Sequence, residues 1–503
     1  MSSETSTTGA RRPLTSGRLS ATAQRVLDHM LTPRLARDRR ALPEHLQVDT
    51  AHVVMLRERG ILRSDEARAI LGALEEAAAL GDAFPIDPRF DSLVLQVETF
   101  LTDRIGEDVG GRMHTGRSRI DHNAAVARLF VRNRLLVVHD GLAALSDRLH
   151  RMAARHVGTL MPGWTHLQHA QPWTLGHYLL RQFYLFERDM QRVEEAFARV
   201  NLSALGGAAL CGTSWPLDRR RVAELLGHDD IVVNSHDAGE FTLDWVMETA
   251  AVLGIAMVDL GRMAGDLYLW HSWEFDLVEV DDGYCGSSSI MPQKKNAVAL
   301  EHVRGFAGRA VGWFPASAGI ARSASSTDCD PAYAGHVLDE ATDTTWRCLD
   351  LVVGVLESLT INADEMRRRA GAFWSTASAL ADAIVRERDL SFRTAHHVVA
   401  RLVRNAVRDG VTVEAVTGAM LDAAAQETLG RPLGLPTPWV RQQLDPERFL
   451  EALATEGSPS PREMGKQLAD ADGRLQRHRA WREARRRQID QGRRLLAEAV
   501  RRV

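Results

Sequence analysis

The chain has 503 residues, of which 45% are hydrophobic and 25% charged, and its formal net charge is -4. This length can bury a large core in more than one domain, and the small net charge gives no electrostatic reason to expect binding to nucleic acid or to a membrane. The four cysteines form no C-x-x-C pair, so they indicate neither a zinc site nor a disulfide framework and favour a reducing cytoplasm.

The N-terminal part divides into a tail and a first domain. Residues 1–18 are rich in Ser, Thr and Arg and lack the apolar core of a signal peptide, which predicts a disordered tail. Residues 19–117 are predicted to form an N-terminal helical domain of shorter helices, including an amphipathic helix over 64–80. No stretch of the chain approaches the roughly 20 apolar residues that a membrane span needs. We therefore expect a cytoplasmic protein.

The middle of the chain, residues 118–370, is predicted to be a central bundle of long helices. No proline lies between Pro172 and Pro216, or between Pro216 and Pro292, so nothing forces a break. Apolar residues recur at spacings of three and four, first at Val138, Leu142, Leu145, Leu149 and Met152 and later at Val246, Ala250, Leu253, Met257, Leu260, Ala264 and Leu267. This spacing is typical of helices packed side by side over many turns. The fold class is therefore mainly α.

The C-terminal part, residues 371–503, is predicted to be a third helical domain. Its helices are shorter and are interrupted by the proline-rich stretch 431–439. The arginine-rich segment 474–502 also contains acidic and apolar residues, which favours a solvated amphipathic helix over a nucleic-acid-binding tail.

The most specific motif is the signature loop, residues 286–296, which reads GSSSIMPQKKN and follows a turn-forming Asp-Asp-Gly. A loop with these hydroxyls, two ammonium groups and an amide can close over a carboxylate and supply a base. A solvated loop whose serine caps the next helix is the structural alternative. The attached MPQKKN favours the functional interpretation.

The signature loop resembles the signature of the fumarase/aspartase superfamily, and its QKKN is the form typical of argininosuccinate lyases. Residues 114–121, HTGRSRID, resemble that family's HTGRSRND; we call them the first motif. Residues 163–172, GWTHLQHAQP, resemble its GYTHLQRAQP; we call them the second motif. Three motifs in the right order, with weaker similarity from about Val48 onward, identify the chain as a divergent member of the argininosuccinate lyase family.

This resemblance implies a fold, an assembly and a reaction. It implies the three-domain α fold of the superfamily with a central long-helix bundle. It implies a homotetramer whose active sites combine residues of three chains. The implied reaction is a β-elimination that splits an amine from an N-substituted aspartate and leaves fumarate or a close unsaturated acid. No cofactor is implied, because the elimination needs no redox chemistry and the sequence shows no metal-ligand spacing and no dinucleotide-binding motif.

By position in the motifs, the resemblance also implies residue roles. Ser288 matches the catalytic base, and His166 matches the histidine that handles protons. Lys294 and Asn296 match the residues that hold the carboxylate and stabilise the intermediate, and Glu301 matches the carboxylate that orients the histidine. The remaining matches to substrate-binding residues are Thr115, Ser118, Arg119, Thr165, Gln171 and Ser289. A serine hydroxyl is a poor base unless its alkoxide is stabilised, so an ammonium and backbone donors are expected near it.

Histidines outside these positions receive no assigned role. Among the other 18 histidines none is nominated for catalysis. His169 stands where the family usually has an arginine, and we treat it as structural or unassigned.

Several departures from the family pattern concern the substrate. Ile120 replaces an asparagine that helps to bind the fumarate carboxylate, Ser287 replaces a glycine, and Ala297 replaces a proline. The family's YNRDLQEDK becomes residues 327–335, TDCDPAYAG, in which only Asp330 is retained; the tyrosine and glutamine expected to meet the arginine group become Thr327 and Ala332. The family's E-D-x-H-M becomes residues 91–95, DSLVL. Without these polar partners a guanidinium group would be desolvated and poorly paired.

The sequence therefore predicts an argininosuccinate-lyase-like enzyme with a changed amine half. Two alternatives stay open: a true argininosuccinate lyase of arginine synthesis, and a non-catalytic structural protein of the same fold. The retained Ser288, His166 and Lys294 argue against the second. The amine product, the physiological direction and the pathway are not determined by the sequence.

Overall fold

A computed structural model describes residues 22–239, 242–322 and 329–503; the predicted tail lies outside these residues. Helices dominate, and every strand in the described part of the chain has only two residues. The mainly α prediction is therefore confirmed. None of the described helices combines the length and apolarity that a membrane span requires.

The N-terminal part contains six α-helices. They are α1 Gln24–Val26, α2 Thr32–Asp38, α3 Leu42–Glu58, α4 Ser64–Leu80, α5 Leu93–Ile105 and α6 Glu107–Gly110. Single turns of 3-10 or π helix connect them at Leu27–Leu31, Arg39–Ala41, Gly81–Ala83, Pro88–Phe90 and Gly111–His114. The amphipathic helix predicted over 64–80 is confirmed as α4, whose residues Ile70 and Leu74 lie in the core shared with α3 and α5.

The central part contains the long helices. They are α7 Arg119–Arg155, α8 Leu175–Val200, α9 Arg219–Leu226, α10 Asp244–His271, α11 Val298–Ala310, α12 Trp313–Ile320 and α13 Cys329–Ser358. A 3-10 turn lies at Asp282–Tyr284. The predicted apolar seams are buried: Leu142 and Leu149 of α7 and Leu253 and Leu260 of α10 are each 0% exposed. The bundle prediction is confirmed.

The C-terminal part contains α14 Ala363–Ala370, α15 Ala377–Arg388, α16 Phe392–Arg408, α17 Gly418–Leu429, α18 Thr437–Leu444, α19 Pro446–Ala452 and α20 Pro461–Arg502, with a 3-10 turn at Val413–Ala415. Helices α15 to α18 share a core of their own. Helix α20 instead packs along α7 and α8, and it reaches α3 and α9 at its end. The helix predicted over residues 474–502 is confirmed as part of α20. The three predicted domain boundaries stay a prediction.

Ten two-residue strands pair in the connections. They are β1 Leu160–Met161, β2 Trp164–Thr165, β3 Gln168–His169, β4 Trp173–Thr174, β5 Leu202–Ser203, β6 Asp230–Ile231, β7 Val278–Glu279, β8 Gly286–Ser287, β9 Lys295–Asn296 and β10 Thr360–Ile361. The pairs β1–β4, β2–β3, β7–β10 and β8–β9 are antiparallel, and β5–β6 is parallel. Two of these ladders hold the second motif and the signature loop.

Candidate active site

The first motif contains the N-cap residue of α7, Ser118, and ends within the first turn of this helix. The backbone N–H of Ser118 donates to Asp121 Oδ1 at 2.8 Å, and the Ser118 side chain caps the first turn of the helix. The other oxygen of Asp121 accepts the N–H groups of Gly206 at 2.8 Å and Ala208 at 3.0 Å. One buried carboxylate therefore fixes both the helix start and the neighbouring loop.

A buried ionic cluster lies beneath the first motif. Arg117 Nη1 donates to Asp49 Oδ1, and the same oxygen lies 3.0 Å from His122 Nε2. Burial alone would raise the pKa of Asp49, but Arg117 and His122 hold it well below its usual range. His52 Nε2 contacts the carbonyl of Thr115 at 3.0 Å. These partners hold the backbone of the motif in place.

Arg119 points toward Asp91 and lines a cavity of about 180 Å³. Its Nη1 donates to Asp91 Oδ2 at 2.5 Å, while Arg34 donates to Oδ1 at 2.7 Å. The cavity is also lined by Ala332 and Gly335 of α13, which come from the segment expected to meet the amine half of the substrate. Arg119 and this segment, far apart in sequence, therefore share one cavity. Thr327 lies outside the described residues, as does the side chain of Asp330.

Apolar and cationic side chains form the rest of the cavity wall. The apolar part includes Phe130, Leu243 and Trp245, and the cationic part includes Arg34, Arg37 and Arg40. The two carboxylates described in the wall already face arginines: Asp339 accepts from Arg40 at 2.7 Å, and Asp38 lies 3.7 Å from Arg34 Nε. Ser92 and Leu93, from the altered segment 91–95, also line it. Among the described lining residues, none offers a carboxylate without an arginine partner.

The second motif forms a tight hairpin. Strands β2 and β3 pair with Thr165 opposite Gln168, and the turn consists of His166 and Leu167. Both turn residues have left-handed backbones, with φ of 55° and 59°. Such turns prefer Asn-Gly, and a left-handed side chain costs about 1–2 kcal/mol. Backbone strain of this kind is common at functional sites, and here it presents the exposed His166 side chain at the tip of the hairpin.

The hairpin contacts the C-terminal part of the chain. Gln171 Nε2 donates to Ser378 Oγ at 3.1 Å. The ring of His169 packs edge-on against Phe373, with ring centres 4.9 Å apart. Burial and, to a lesser degree, Arg369 lower the pKa of His169, so the neutral form is favoured. These contacts support the structural role predicted for His169, whereas the predicted role of Gln171 in substrate binding stays a prediction.

Within the signature loop, Ser288 is surrounded by backbone donors. The ladder β8–β9 closes the base of the loop by pairing Gly286 with Asn296. Ser288 Oγ accepts the N–H of Met291 at 3.1 Å and that of Ile290 at 3.3 Å. Donors aimed at an oxygen stabilise its anionic form. The backbone donors expected beside a serine base are therefore present.

The two lysines of the loop differ in their partners. Lys295 Nζ is held by Glu279 at 2.8 Å and by Asp282 at 2.7 Å. These two carboxylates raise the pKa of Lys295 to well above its ordinary value. Lys294 is exposed and has no ion-pair partner among the described residues. Lys294 is therefore the ammonium that is available for a substrate carboxylate.

Three further predicted residues lie around the loop. Glu301, in the first turn of α11, accepts the hydroxyl of Tyr268 at 3.0 Å. Asn296 is partly buried at the base of the loop, and Ser289 is exposed beside Ser288. Ser289 and Asn296 therefore lie on the same connection as Ser288 and Lys294, and Glu301 lies in the helix that directly follows it.

Within one chain, the predicted site residues lie in two separate regions. The second motif and the signature loop lie at the end of the bundle where α7 ends, α8 begins and α10 ends; Trp164 contacts Trp270 and Phe275, with ring centres about 6 Å apart. Thr115, Ser118 and Arg119 lie at the start of α7. Since α7 has 37 residues and a helix rises about 1.5 Å per residue, the two ends are about 55 Å apart.

Sequence reasoning did not find several residues that shape these regions. Asp49 lies 68 residues before Arg117, and no local spacing links the two. Arg34 and Arg37 of the cavity wall come from α2, and Arg40 comes from the 3-10 turn that follows it; neither element carries a motif. The acidic turn before the signature loop is visible in the sequence, but its ion pair with Lys295 is not. Only its position next to the loop could have suggested that pairing.

The fold and the three motif segments define a helical lyase of the fumarase/aspartase type, and comparison with known proteins narrows the class. The family profile described as "Lyase" matches residues 30–312, and the one described as "Argininosuccinate lyase C-terminal" matches residues 374–451. The argininosuccinate lyase of Methanoculleus marisnigri is 39% identical over 477 residues, covering 93% of this chain and 94% of the relative. Argininosuccinate lyase 1 of Shouchella clausii is 34% identical over 468 residues, covering 91% and 93%.

Solved structures agree with this placement. EDDS lyase in complex with formate superposes with a TM-score of 0.85 at 31% identity and covers 96% of both chains. The class II fumarase of Schistosoma mansoni, at 16% identity, has a TM-score of 0.70 with 85% and 95% covered, which shows the shared fold. The chain belongs to the argininosuccinate lyase family, and it is a carbon–nitrogen lyase.

Proposed function

We propose that this lyase eliminates an amine from an N-substituted aspartate whose amine half carries no guanidinium group, releasing fumarate or a close unsaturated acid. The observation that carries the proposal is the cavity at the start of α7, where Arg119 and the altered residues Ala332 and Gly335 share one wall. Argininosuccinate itself is the second candidate, because relatives with that printed name are up to 39% identical.

The cavity is a poor environment for a guanidinium. This group is a planar cation with five N–H donors and needs carboxylate or carbonyl acceptors. The charges of Asp38 and Asp339 are already offset by Arg34 at 3.7 Å and Arg40 at 2.7 Å, and Arg37 adds a further positive charge to the wall. Two like charges about 4 Å apart near a protein surface repel by roughly 4 kcal/mol. The apolar side chains of the wall instead suit a hydrocarbon substituent on the amine.

The signature loop supports the elimination step. In this proposal Ser288 first loses its hydroxyl proton to His166. Its alkoxide then takes a proton from the β-carbon of the aspartate, beside the side-chain carboxylate, and the electron pair of that C–H bond moves into this carboxylate. Lys294 and Asn296 stabilise the extra charge. The pair then returns to form the double bond while the C–N bond breaks, and the departing amine receives a proton through His166. The two N–H groups directed at Ser288 Oγ favour the alkoxide that the first step requires.

We further propose that each active site combines residues of several chains in a homotetramer. The first motif lies about 55 Å from the other two along α7, so a single chain cannot bring them together. Co-expression of Arg119→Ala and Ser288→Ala chains tests this proposal. If sites are shared, mixed assemblies contain some intact sites and regain activity that each variant alone lacks. If each chain has its own site, no activity returns.

The substrate proposal is tested in the addition direction. The full-length protein is incubated with fumarate and a library of alkyl, aryl and carboxyalkyl amines, and N-substituted aspartates are identified by mass spectrometry. We expect products from amines with apolar substituents. Ser288→Ala is expected to lower the rate by about 10²–10⁴-fold, as loss of a general base does. A wild-type protein that forms only argininosuccinate, from arginine, contradicts the proposal.

A single substitution provides a gain-of-function control. Ala332→Gln restores the family's polar residue at one cavity position and adds an amide oxygen as an acceptor without a further positive charge. We expect this variant to lose turnover of the apolar substrate and to gain turnover of argininosuccinate. Unchanged selectivity would show that this segment does not contact the amine.

A further inference from the structure

Two histidines and a glutamate meet inside the bundle, away from the three motifs. His139 of α7, Glu194 of α8 and His478 of α20 offer ligand atoms that all lie within 4.8 Å of one another. Glu194 Oε1 lies 2.9 Å from His139 Nε2 and 2.6 Å from His478 Nδ1. His139 is fully buried and His478 is 6% exposed. Neither the fold nor the elimination chemistry explains why three ionisable groups converge here.

The distances suit a small divalent cation. Zn²⁺ binds histidine nitrogen and carboxylate oxygen at about 2.0–2.2 Å in a tetrahedral arrangement, which places neighbouring ligand atoms about 3.3 Å apart. The observed separations of 2.9 and 2.6 Å need to widen by less than about 1 Å for an ion to replace the hydrogen-bonding protons. Two imidazoles and one carboxylate are a donor set found in zinc sites with three protein ligands, in which a water holds the fourth position.

A second carboxylate supports this interpretation independently. Metal-bound histidines usually give their other ring N–H to a carboxylate, which orients the ring. The second nitrogen of His478, Nε2, lies 3.3 Å from Glu187 Oε1. Glu187 is 2% exposed and is itself held by Gln191 at 2.7 Å and Arg474 at 3.3 Å.

We propose that His139, Glu194 and His478 form a zinc site that fastens α20 to α7 and α8. The position of the site matches this role, since Trp481 of α20 stacks beside His139 with ring centres 4.8 Å apart and contacts Phe197 of α8 at 5.3 Å. His139 lies 20 residues into α7, about 30 Å from the first motif and about 24 Å from the end of the helix. The zinc ion therefore stabilises the bundle and takes no part in the elimination.

The test uses the full-length protein treated with a chelator and returned to metal-free buffer. After addition of ZnCl₂ and desalting, we expect one Zn²⁺ per chain by elemental analysis and a higher Tm, because a ligand that binds only the folded state stabilises it. His478→Gln and the more conservative Glu194→Gln are expected to retain no zinc and to lose the Tm increase.

A matched histidine provides the control. His150 is also on α7 and also faces α20, where its Nε2 lies 3.2 Å from the carbonyl of Leu468, but it lies outside the cluster. His150→Gln is expected to bind zinc as the wild type does. The proposal is overturned if the wild type retains no zinc, or if His478→Gln and Glu194→Gln retain as much as the wild type. Both results would leave the cluster as a hydrogen-bonded helix contact.

Discussion

Replacing Asp49 with asparagine tests whether the buried cluster anchors the first motif. The side chains of Arg117 and Asp49 are 0% and 1% exposed. The asparagine amide would keep an acceptor oxygen but lose the charge, which leaves the Arg117 guanidinium buried without a counter-ion. Breaking a buried pair in this way costs about 3–5 kcal/mol. We expect the free energy of unfolding to fall by that amount.

Urea unfolding at equal protein concentrations measures the effect, because oligomerisation contributes to apparent stability. The depressed pKa of Asp49 means that its stabilising charge is fully present above its unfolded pKa of 3.8 and is lost only as the pH falls through the lower folded value. Because burial lowers the pKa of the neighbouring His122 below 6.5, neither group changes its charge at alkaline pH, and the difference between wild type and Asp49→Asn should be the same at pH 8 and pH 9.

The matched control is an exposed pair of the same kind. Arg89 and Asp87 are 55% and 29% exposed, and such pairs contribute about 0–1 kcal/mol. Asp87→Asn should therefore change the unfolding free energy far less. Equal losses in the two variants would refute the argument from burial. Because Arg117 precedes Ser118 and Arg119, Asp49→Asn should also raise KM for the substrate, whereas Asp87→Asn should not.

Three further predictions concern single side chains. Burial and the neighbouring Asp259 raise the pKa of Asp189 from 3.8 to about 7, so the stability contributed by this group falls as the pH rises through that interval. Asp189→Asn should therefore raise the free energy of unfolding at pH 8 by up to roughly 4 kcal/mol, and by less at pH 5. Urea unfolding measures both values, and an equal gain at the two pH values would contradict this prediction. His166→Asn keeps a residue that tolerates the left-handed turn but removes the imidazole, so kcat should drop about 10²–10⁴-fold with Tm unchanged; wild-type kcat would exclude His166 from proton transfer. Lys294→Gln should raise KM strongly. Lys295→Gln should instead make the signature loop less stable, which is seen as faster proteolysis of the loop. A strong rise of KM for Lys295→Gln but not for Lys294→Gln would exchange the roles of the two lysines.

Patterns that repeat along the chain predicted much of the fold. The apolar spacing of three and four through Leu142 and Leu253 reports helix packing directly, because side chains at those spacings share one face. The α4 boundaries follow from the same periodicity. The two-residue strands could not be predicted, since a pairing such as Thr360 with Glu279 joins segments that have no common local signal.

The candidate site was predictable only where its chemistry is local in sequence. Ser288 and Lys294 lie within one loop, so their grouping is visible without a structure. The left-handed turn at His166 is not, because its sequence lacks the usual Asn-Gly. His139, Glu194 and His478 are separated by 55 and 284 residues on three helices. No motif spacing covers such distances, and only packing brings these side chains together.

The surroundings of the cavity residues also could not be predicted from the sequence. The sequence indicated that Ala332 replaces a polar residue, but not what surrounds it. The structure adds the arginines of α2 and the apolar wall of α7 and α10. With these neighbours, the segment is interpreted as part of a pocket that disfavours a cationic substituent on the amine, and not only as a lost contact.

One comparison of substrates tests most sharply whether the pocket for the amine half of the substrate is altered. The kcat/KM of the wild-type protein is measured for argininosuccinate and for N-alkyl and N-aryl aspartates, with fumarate release followed by ultraviolet absorbance and Ser288→Ala as the blank. We predict that an apolar N-substituted aspartate has the higher kcat/KM, by at least about 10²-fold, which corresponds to roughly 2.7 kcal/mol of transition-state binding. A higher kcat/KM for argininosuccinate would contradict the account.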